Sequence, residues 1–552
     1  MDQQSHVPAQ PGRRIPRLSV PGSAVRRLGA RVLDPATATR VGDQVPPHPT
    51  AYVADCLLVR GLPDRSALNP ISALQEMLKG RYLVEERRER SLGDLMARLE
   101  VAEELDRHGS TSVRIIPDPD KAVEPADAWA ILQDFRARHT GLARSVSLCH
   151  VVVGTGYGEG VGYGEGVGYG EGVGYGEGVG YGEGVGYGEG VGLGGLPGGG
   201  PSGRSPVTWA APDPTPDGAR HGPVVALLDT GIGEHPWFRQ GVIRDPEVGG
   251  EPIGLRFPPQ ENPEGTGCTI DTVNGVLDRL AGHGTFIAGV VRQHCPEATL
   301  MAVPVMYGDG VADEATVVDA LQLLLARQLV ALRDPDQGPP VDVLSLSLGY
   351  YHETVGAFDD EGALVSALRG LASTGVAVVA AAGNGASDVE FYPGAFSQSA
   401  SFDVPLVSVG AHNPGGRQPH LVPPGRPTVS VYSNTGRWVT TYRCGTAVVS
   451  TMPVTFDGSI RSVLFQPGSP NPTRGSIDLD DYSGGFGQWS GTSFAAPALA
   501  GDIARRILGA IDTDPEAEGE EDEKPEPLTD DIVEQRVRRA AEAVALAVKE
   551  GS

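Results

Sequence analysis

Four polar residues, each set among glycine and alanine, could between them carry out acyl transfer. Ser493 lies in Gly-Thr-Ser-Phe-Ala-Ala-Pro at 491–497. Gly491 and Thr492 predict a tight turn, and 494–508, rich in Ala, Leu and Ile, predicts a buried helix, so the hydroxyl stands at a helix start. The unpaired backbone N–H groups of such a start face whatever negative charge develops beside it. Asp229 follows the apolar run Val-Val-Ala-Leu-Leu at 224–228, His283 heads His-Gly-Thr-Phe-Ile-Ala-Gly, and Asn384 closes Val-Val-Ala-Ala-Ala-Gly-Asn. Taken singly, each has an ordinary structural reading: the serine as an N-cap, the aspartate as a turn or cap, the histidine as a packed residue, the asparagine as a turn former.

The elements that must position them are those of an α/β domain. Continuous apolar runs at 224–228, 299–305, 341–348, 376–382 and 404–409 predict strands buried on both faces, and helical patterns at 284–293, 315–332 and 361–373 lie between them. Buried strands alternating with helices imply a parallel sheet covered on both faces, and active sites of such folds gather at the carboxyl ends of strands.

In this order and setting the four segments supply every role in acyl transfer, and here the chain resembles the subtilisin-like serine proteases, or subtilases. The matching stretches are Asp229-Thr-Gly-Ile, His283-Gly-Thr, Ser345-Leu-Ser-Leu-Gly, Ala381-Ala-Gly-Asn and Gly491-Thr-Ser-Phe-Ala-Ala-Pro, within 224–509. The resemblance implies a serine endopeptidase of peptidase family S8 with Ser493 as nucleophile, His283 as general base and acid, and Asp229 holding the imidazole in the right tautomer. It makes the Asn384 amide an oxyanion donor beside a backbone N–H near Ser493. It also places Ser347, Leu348, Gly349 and Gly383 along an extended peptide substrate, with Tyr350 and Gly385 near that region. Structural calcium is common in the family, but no acidic loop here matches such a site. No cofactor is required by the sequence, structural calcium is possible but not indicated, and no metal ligand is assigned. The competing reading is a non-catalytic scaffold or binding protein that retains the protease fold.

Around this domain the composition changes. Residues 1–50 are rich in Pro, Arg, Gly and Ser without periodicity and are read as disordered. Residues 51–154 form a small α+β unit, with strands at 55–60, 112–116 and 145–153 and helices at 71–78, 92–105 and 125–139. This unit occupies the place of a pro-domain, and is read as that or as an accessory module. Five copies of Val-Gly-Tyr-Gly-Glu-Gly at 161–190, preceded by the near-copy Thr-Gly-Tyr-Gly-Glu-Gly at 155–160, predict a flexible linker over 155–206. The peptidase domain is placed at 207–510, with a surface insertion at 451–488 close to the nucleophile. An acidic spacer at 511–527 and a C-terminal helix at 528–549 follow. The helix presents Val533, Val537, Ala540, Val544 and Val548 on one face, for docking or for a partner protein, as does 51–154.

The bulk properties exclude some classes. The formal net charge of −26 disfavours nucleic acid. No stretch approaches the roughly 18 apolar residues of a membrane span. The five cysteines form no C-x-x-C pair and read as reduced thiols. After Arg13-Arg14 no apolar run follows to make an export signal. A cytoplasmic location is the expectation, with secretion not excluded.

Overall fold

The computed structural model describes residues 20–40, 46–61, 69–88, 92–155 without 122, 203–216, 222–354, 362–398, 402–415, 427–465 without 463, 474–512 and 530–550. The repeat at 161–190 and the acidic spacer lie outside them.

The front of the chain runs α1 (Gly22–Leu28), β1 (Ala30–Leu33), β2 (Thr50–Arg60), α2 (Pro70–Leu78), β3 (Tyr82–Glu86), α3 (Leu92–Arg98), α4 (Ala102–His108), β4 (Ser110–Pro117), α5 (Ala128–Arg138) and β5 (Val146–Gly154). Strands pair antiparallel in the order β5-β2-β4-β3, a split βαββαβ arrangement. The core between this sheet and its helices holds Leu57, Leu74, Leu132, Phe135 and Leu148, all fully buried. Two expectations change here. Residues 20–40 are not without structure, because β1 pairs with β2 and α1 packs beside it through Ala24. The helix expected at 92–105 is two helices, broken at Glu100, whose φ of 58° no helix accommodates. Strand β3 was not expected at all.

The second unit continues through β6 (Ser205–Val207), β7 (Val224–Asp229), β8 (Val242–Ile243), β9 (Glu247–Val248), β10 (Glu251–Pro252), α6 (His283–His294), β11 (Thr299–Pro304), β12 (Val311–Asp313) and α7 (Glu314–Arg333). Next come β13 (Val341–Leu346), β14 (Leu348–Tyr351), α8 (Ala363–Ala372), β15 (Ala377–Ala381), β16 (Phe391–Tyr392), β17 (Val407–His412), β18 (Thr441–Cys444) and β19 (Val448–Thr451). The chain ends with β20 (Leu464–Phe465), β21 (Arg474–Gly475), β22 (Phe486–Trp489), α9 (Thr492–Asp512) and α10 (Asp530–Glu550). Its main sheet is parallel, in the order β18-β17-β15-β13-β7-β11-β8, with β7 at the centre between β13 and β11. Every residue of β7, β13 and β15 is buried, as a sheet covered on both faces demands.

The apolar run at 341–348 is not one strand. It leaves the parallel sheet after Leu346, and from Leu348 it pairs antiparallel with the front unit's β5. Helix α7 is long and apolar enough by composition to cross a membrane, which the sequence reading did not register; it is mostly buried inside the domain. The insertion at 451–488 is less peripheral than expected, since Phe456 and Tyr482 are fully buried and β22 pairs with both β19 and β6. Helix α10 lies on α9, burying Ala540, Ala543, Val544 and Ala547. Arg443 Nη2 ties it down through the Ala547 carbonyl at 2.7 Å while its Nε donates to Asp502.

Polar links hold the front unit on the second one. The Arg87 guanidinium makes two bonds to Asp313, at 2.5 and 2.8 Å, Arg27 reaches Asp309 at 2.7 Å, and the Ser110 N–H donates to Gln322 Oε1 at 2.7 Å. Asp313 also caps α7 by accepting from the Thr316 N–H, so the paired carboxylate fixes both the helix start and the interface.

Candidate active site

Strand β7 delivers Asp229 at its carboxyl end, opposite Pro304 of β11. Helix α6 begins at the next residue after Gly282, which takes φ 78° to make the turn, and so places His283 in the first turn. Asp229 Oδ1 and His283 Nδ1 lie 2.7 Å apart, both side chains essentially without exposure. Oδ1 also accepts from the Thr230 N–H at 2.8 Å. Gly284 has to be glycine for the two elements to meet, because a Cβ there would sit 2.0 Å from the Gly231 carbonyl oxygen. The His283 ring is flanked by Trp489 edge-on at 5.4 Å and by Phe494 at 5.5 Å, and its Nε2 is buried without a hydrogen-bond partner.

Behind this pair stands Glu264, which the sequence reading did not single out. Its carboxylate accepts from the hydroxyls of Thr230 and Thr285 and from the Gly284 N–H at 3.1 Å. Burial pushes its pKa up to about 7, against the lowering effect of those donors.

Ser493 occupies the first turn of α9, as expected. Pro497 lies four residues on and has no N–H to donate back, so the Ser493 carbonyl is left for another partner. The Ser347 hydroxyl takes it, at 3.0 Å. Thr492, one residue earlier, donates its N–H at 3.0 Å and its hydroxyl at 2.9 Å to Asn384 Oδ1. Two donors on the amide oxygen fix which way the amide points, and Nδ2 is turned toward the cleft. Gly383, at φ 90°, makes the bend that carries Asn384 out of β15.

The cleft is filled by the chain's own Thr155. Asn384 Nδ2 donates to the Thr155 carbonyl oxygen at 2.5 Å and the Ser493 N–H donates to the same oxygen at 3.4 Å. The Thr155 and Ser493 hydroxyls are 2.7 Å apart, and the Thr155 N–H donates to the Ser347 carbonyl at 2.9 Å. Upstream, β5 runs between two antiparallel neighbours. Leu348 and Gly349 stand opposite Gly154 and Val153 on one side, and Val311, Ala312 and Asp313 stand opposite Val153, Val152 and Val151 on the other. The Gly154 N–H donates to the Gly310 carbonyl at 2.8 Å.

Asp229 is paired with His283, Asn384 and Ser493 share the Thr155 carbonyl, and the His283 ring lies against Phe494, the residue after Ser493, while Ser347, Leu348 and Gly349 flank an extended segment. Gly383 shapes the bend without pairing to that segment; its N–H donates to the Thr492 hydroxyl. Tyr350 turns away into the interior, where its hydroxyl donates to Glu314 Oε1 at 3.1 Å. The second flanking edge, Gly310 with β12, was missed, and so was Thr155. One signal was available for the latter: the first unit of the repeat begins with Thr where the five perfect copies begin with Val.

Chemically, this constellation can hold a carbonyl carbon beside a serine hydroxyl, hold its oxygen between two N–H donors, and offer an imidazole whose other nitrogen is fixed by a carboxylate. Among known proteins, the model of a family described as the subtilase family matches residues 220–537 of the 552. No curated protein matches. Among solved structures, fervidolysin from Fervidobacterium pennivorans, a keratinolytic enzyme related to subtilisin, is similar at 16% identity with a TM-score of 0.44. The match covers 84% of this chain, which spans 56% of the length of that one.

Proposed function

The chain belongs to the subtilase family, and from that premise we propose that it is a serine endopeptidase whose first substrate is its own bond between Thr155 and Gly156. Ser493 Oγ attacks the Thr155 carbonyl carbon while His283 Nε2 takes the hydroxyl proton, and Asp229 stabilises the imidazolium that results. The oxygen, now carrying the negative charge, rests between Asn384 Nδ2 and the Ser493 N–H. As the C–N bond breaks, His283 passes the proton to the departing amine of Gly156. Water, deprotonated by the same imidazole, then releases the Thr155 carboxylate from the serine ester.

The observation that carries this reading is the Thr155 carbonyl oxygen, held by Asn384 Nδ2 at 2.5 Å on a strand gripped from both sides. Residues up to Thr155 act as a pro-domain that folds with the enzyme and occupies its cleft. Substrates in trans bind as β5 does, by adding a strand between β12 and β14. A Cβ at Gly154 would lie 2.4 Å from Leu280 Cδ1 and 3.3 Å from Met306, so a small residue is favoured before the acyl residue and a larger one needs those two side-chain ends to shift. Five cysteines without a paired spacing support work in a reducing compartment, for regulated cleavage or peptide maturation.

The test is intact mass and amino-terminal sequencing of the purified chain beside its Ser493→Ala variant. The wild type should yield a fragment beginning at Gly156, and the variant should stay whole. A wild-type chain that stays whole and is not labelled at Ser493 by a fluorophosphonate probe would overturn the proposal, as would cleavage at the same bond in the variant.

A further inference from the structure

Five residues before Thr155, the same strand carries a second constellation that peptide hydrolysis does not use. His150 is 1% exposed. Its Nδ1 lies 2.6 Å from Glu314 Oε2 and its Nε2 2.8 Å from Glu353 Oε2. Tyr350 stacks on the ring at 4.2 Å and donates to the other oxygen of Glu314. His352 Nδ1 comes within 3.4 Å of Glu353 Oε2. A small cavity lined by His150, Glu314, Tyr350 and His352 adjoins the group.

Three features set this apart from an ordinary buried ion pair. Ligand atoms of His150, His352 and Glu353 all lie within 4.8 Å of one another. Glu353 is 1% exposed, and its Oε1 has no hydrogen-bond partner, a costly condition for a buried carboxylate oxygen. His352 Nδ1 accepts from the Thr354 N–H at 3.0 Å, so it presents a lone pair rather than a proton beside the Glu353 carboxylate. Thr354 is exposed, and its N–H can turn to water if that nitrogen takes another partner.

We propose that His150, His352 and Glu353 bind a divalent transition ion, Zn²⁺ being the natural occupant, and that the ion clamps the front unit to the peptidase unit. In this arrangement His150 Nδ1–H donates to Glu314, which fixes the tautomer and turns Nε2 to the metal, the carboxylate–histidine support usual behind a ligating imidazole. Glu353 supplies its carboxylate and His352 its Nδ1, giving two nitrogens and a carboxylate with a fourth position open to water from the cavity. Tetrahedral bonds of about 2.0–2.1 Å put ligand atoms roughly 3.3 Å apart. The two imidazole nitrogens lie 2.8 and 3.4 Å from Glu353 Oε2, within about half an ångström of that spacing, and no two of the ligand atoms are more than 4.8 Å apart.

The ligands are drawn from both sides of the cleaved bond. His150 belongs to the segment that would leave after cleavage, and His352 and Glu353 to the enzyme that stays. A bound ion therefore slows release of the front unit. That consequence rests on the proposed cleavage after Thr155; the site itself does not.

The experiment uses the full chain with Ser493→Ala, so that binding is read independently of cleavage. After chelation and desalting the protein is titrated with Zn²⁺ against a chromophoric chelator, and retained metal is counted by elemental analysis. One equivalent is expected, with affinity falling by about 100-fold or more in His352→Ala and in Glu353→Gln. X-ray absorption of the zinc-loaded protein should show nitrogen and oxygen neighbours including two imidazoles, a readout that needs no variant to fold. Failure to retain Zn²⁺, sulfur neighbours from the cysteines, or retention unchanged in both variants would overturn the proposal. So would binding of Ca²⁺ in preference to Zn²⁺.

Discussion

Two buried histidines, His283 and His150, have nearly the same carboxylate contact and opposite ends. In each, Nδ1 sits against a carboxylate oxygen, at 2.7 Å for Asp229 and 2.6 Å for Glu314. At His283 the far nitrogen has no partner. At His150 the far nitrogen meets a second carboxylate, Glu353, at 2.8 Å. In the protein without metal, the two glutamates raise the pKa of His150 to about 10 against the cost of burial, which favours the charged ring between them. One carboxylate orients an imidazole and leaves its far nitrogen open. A second carboxylate holds the far proton in place, so the ring is a strut without metal and becomes a ligand only when an ion displaces that proton.

Removing each ring in turn should have the largest and most divergent effects. His283→Ala should lower kcat on the order of 10⁶, the scale known for losing the base or nucleophile of a subtilase, and should leave the chain uncleaved at Thr155. His150→Gln should still be cleaved and should instead shorten the lag before activity on an added peptide appears, because the front unit is held less firmly. Progress curves of hydrolysis distinguish the two. Equal loss of cleavage in both variants would mean that the far nitrogens do not differ in role.

A smaller effect separates orientation from proton transfer within the same cleft. Asn384→Ala removes the side-chain donor to the Thr155 carbonyl and should cost on the order of 10²–10³ in kcat with KM little changed. The rate with a Val-Val-Gly-Thr peptide ester measures it.

The smallest concerns the carboxylate behind Asp229. The pKa of Glu264 is raised by burial to about 7 from an ordinary value of 4.5. A raised folded-state pKa means that the native state holds the proton more tightly than the unfolded chain. The stabilisation is thus complete below about pH 4.5 and is lost as pH rises through about 7. Glu264→Gln, which cannot ionise, should flatten that part of the profile. Calorimetric Tm of the Ser493→Ala chain from pH 4.5 to 8, with and without the second substitution, reads it; parallel profiles would remove Glu264 from the account.

How much was legible in the sequence differs from residue to residue. Asp229, His283, Asn384 and Ser493 were legible because each lies at the end of a strand or the start of a helix, and local pattern reports such ends. Strand β7 was plain from five apolar residues in a row. Gly284 and Pro497 could be seen, but not why they are needed: one permits contact with Gly231, and the other frees the Ser493 carbonyl for Ser347. The break after Leu346 was invisible, since Leu348 is as apolar as the run it follows and only its change of partner, from β7 to β5, divides the strand. His150, Glu314, His352 and Glu353 carried no signal, being spread over two hundred residues without motif spacing.

The α/β architecture and the seats of the four polar side chains are written locally along the chain, because helix and strand periodicity and the residues that end such elements act over a few positions. What fills the cleft and what meets His150 depend instead on long-range pairing. Both are set by β5, which pairs with β2 along its first part and lies between β14 and β12 at its end, and pairing between strands far apart in sequence leaves no periodic trace in either of them.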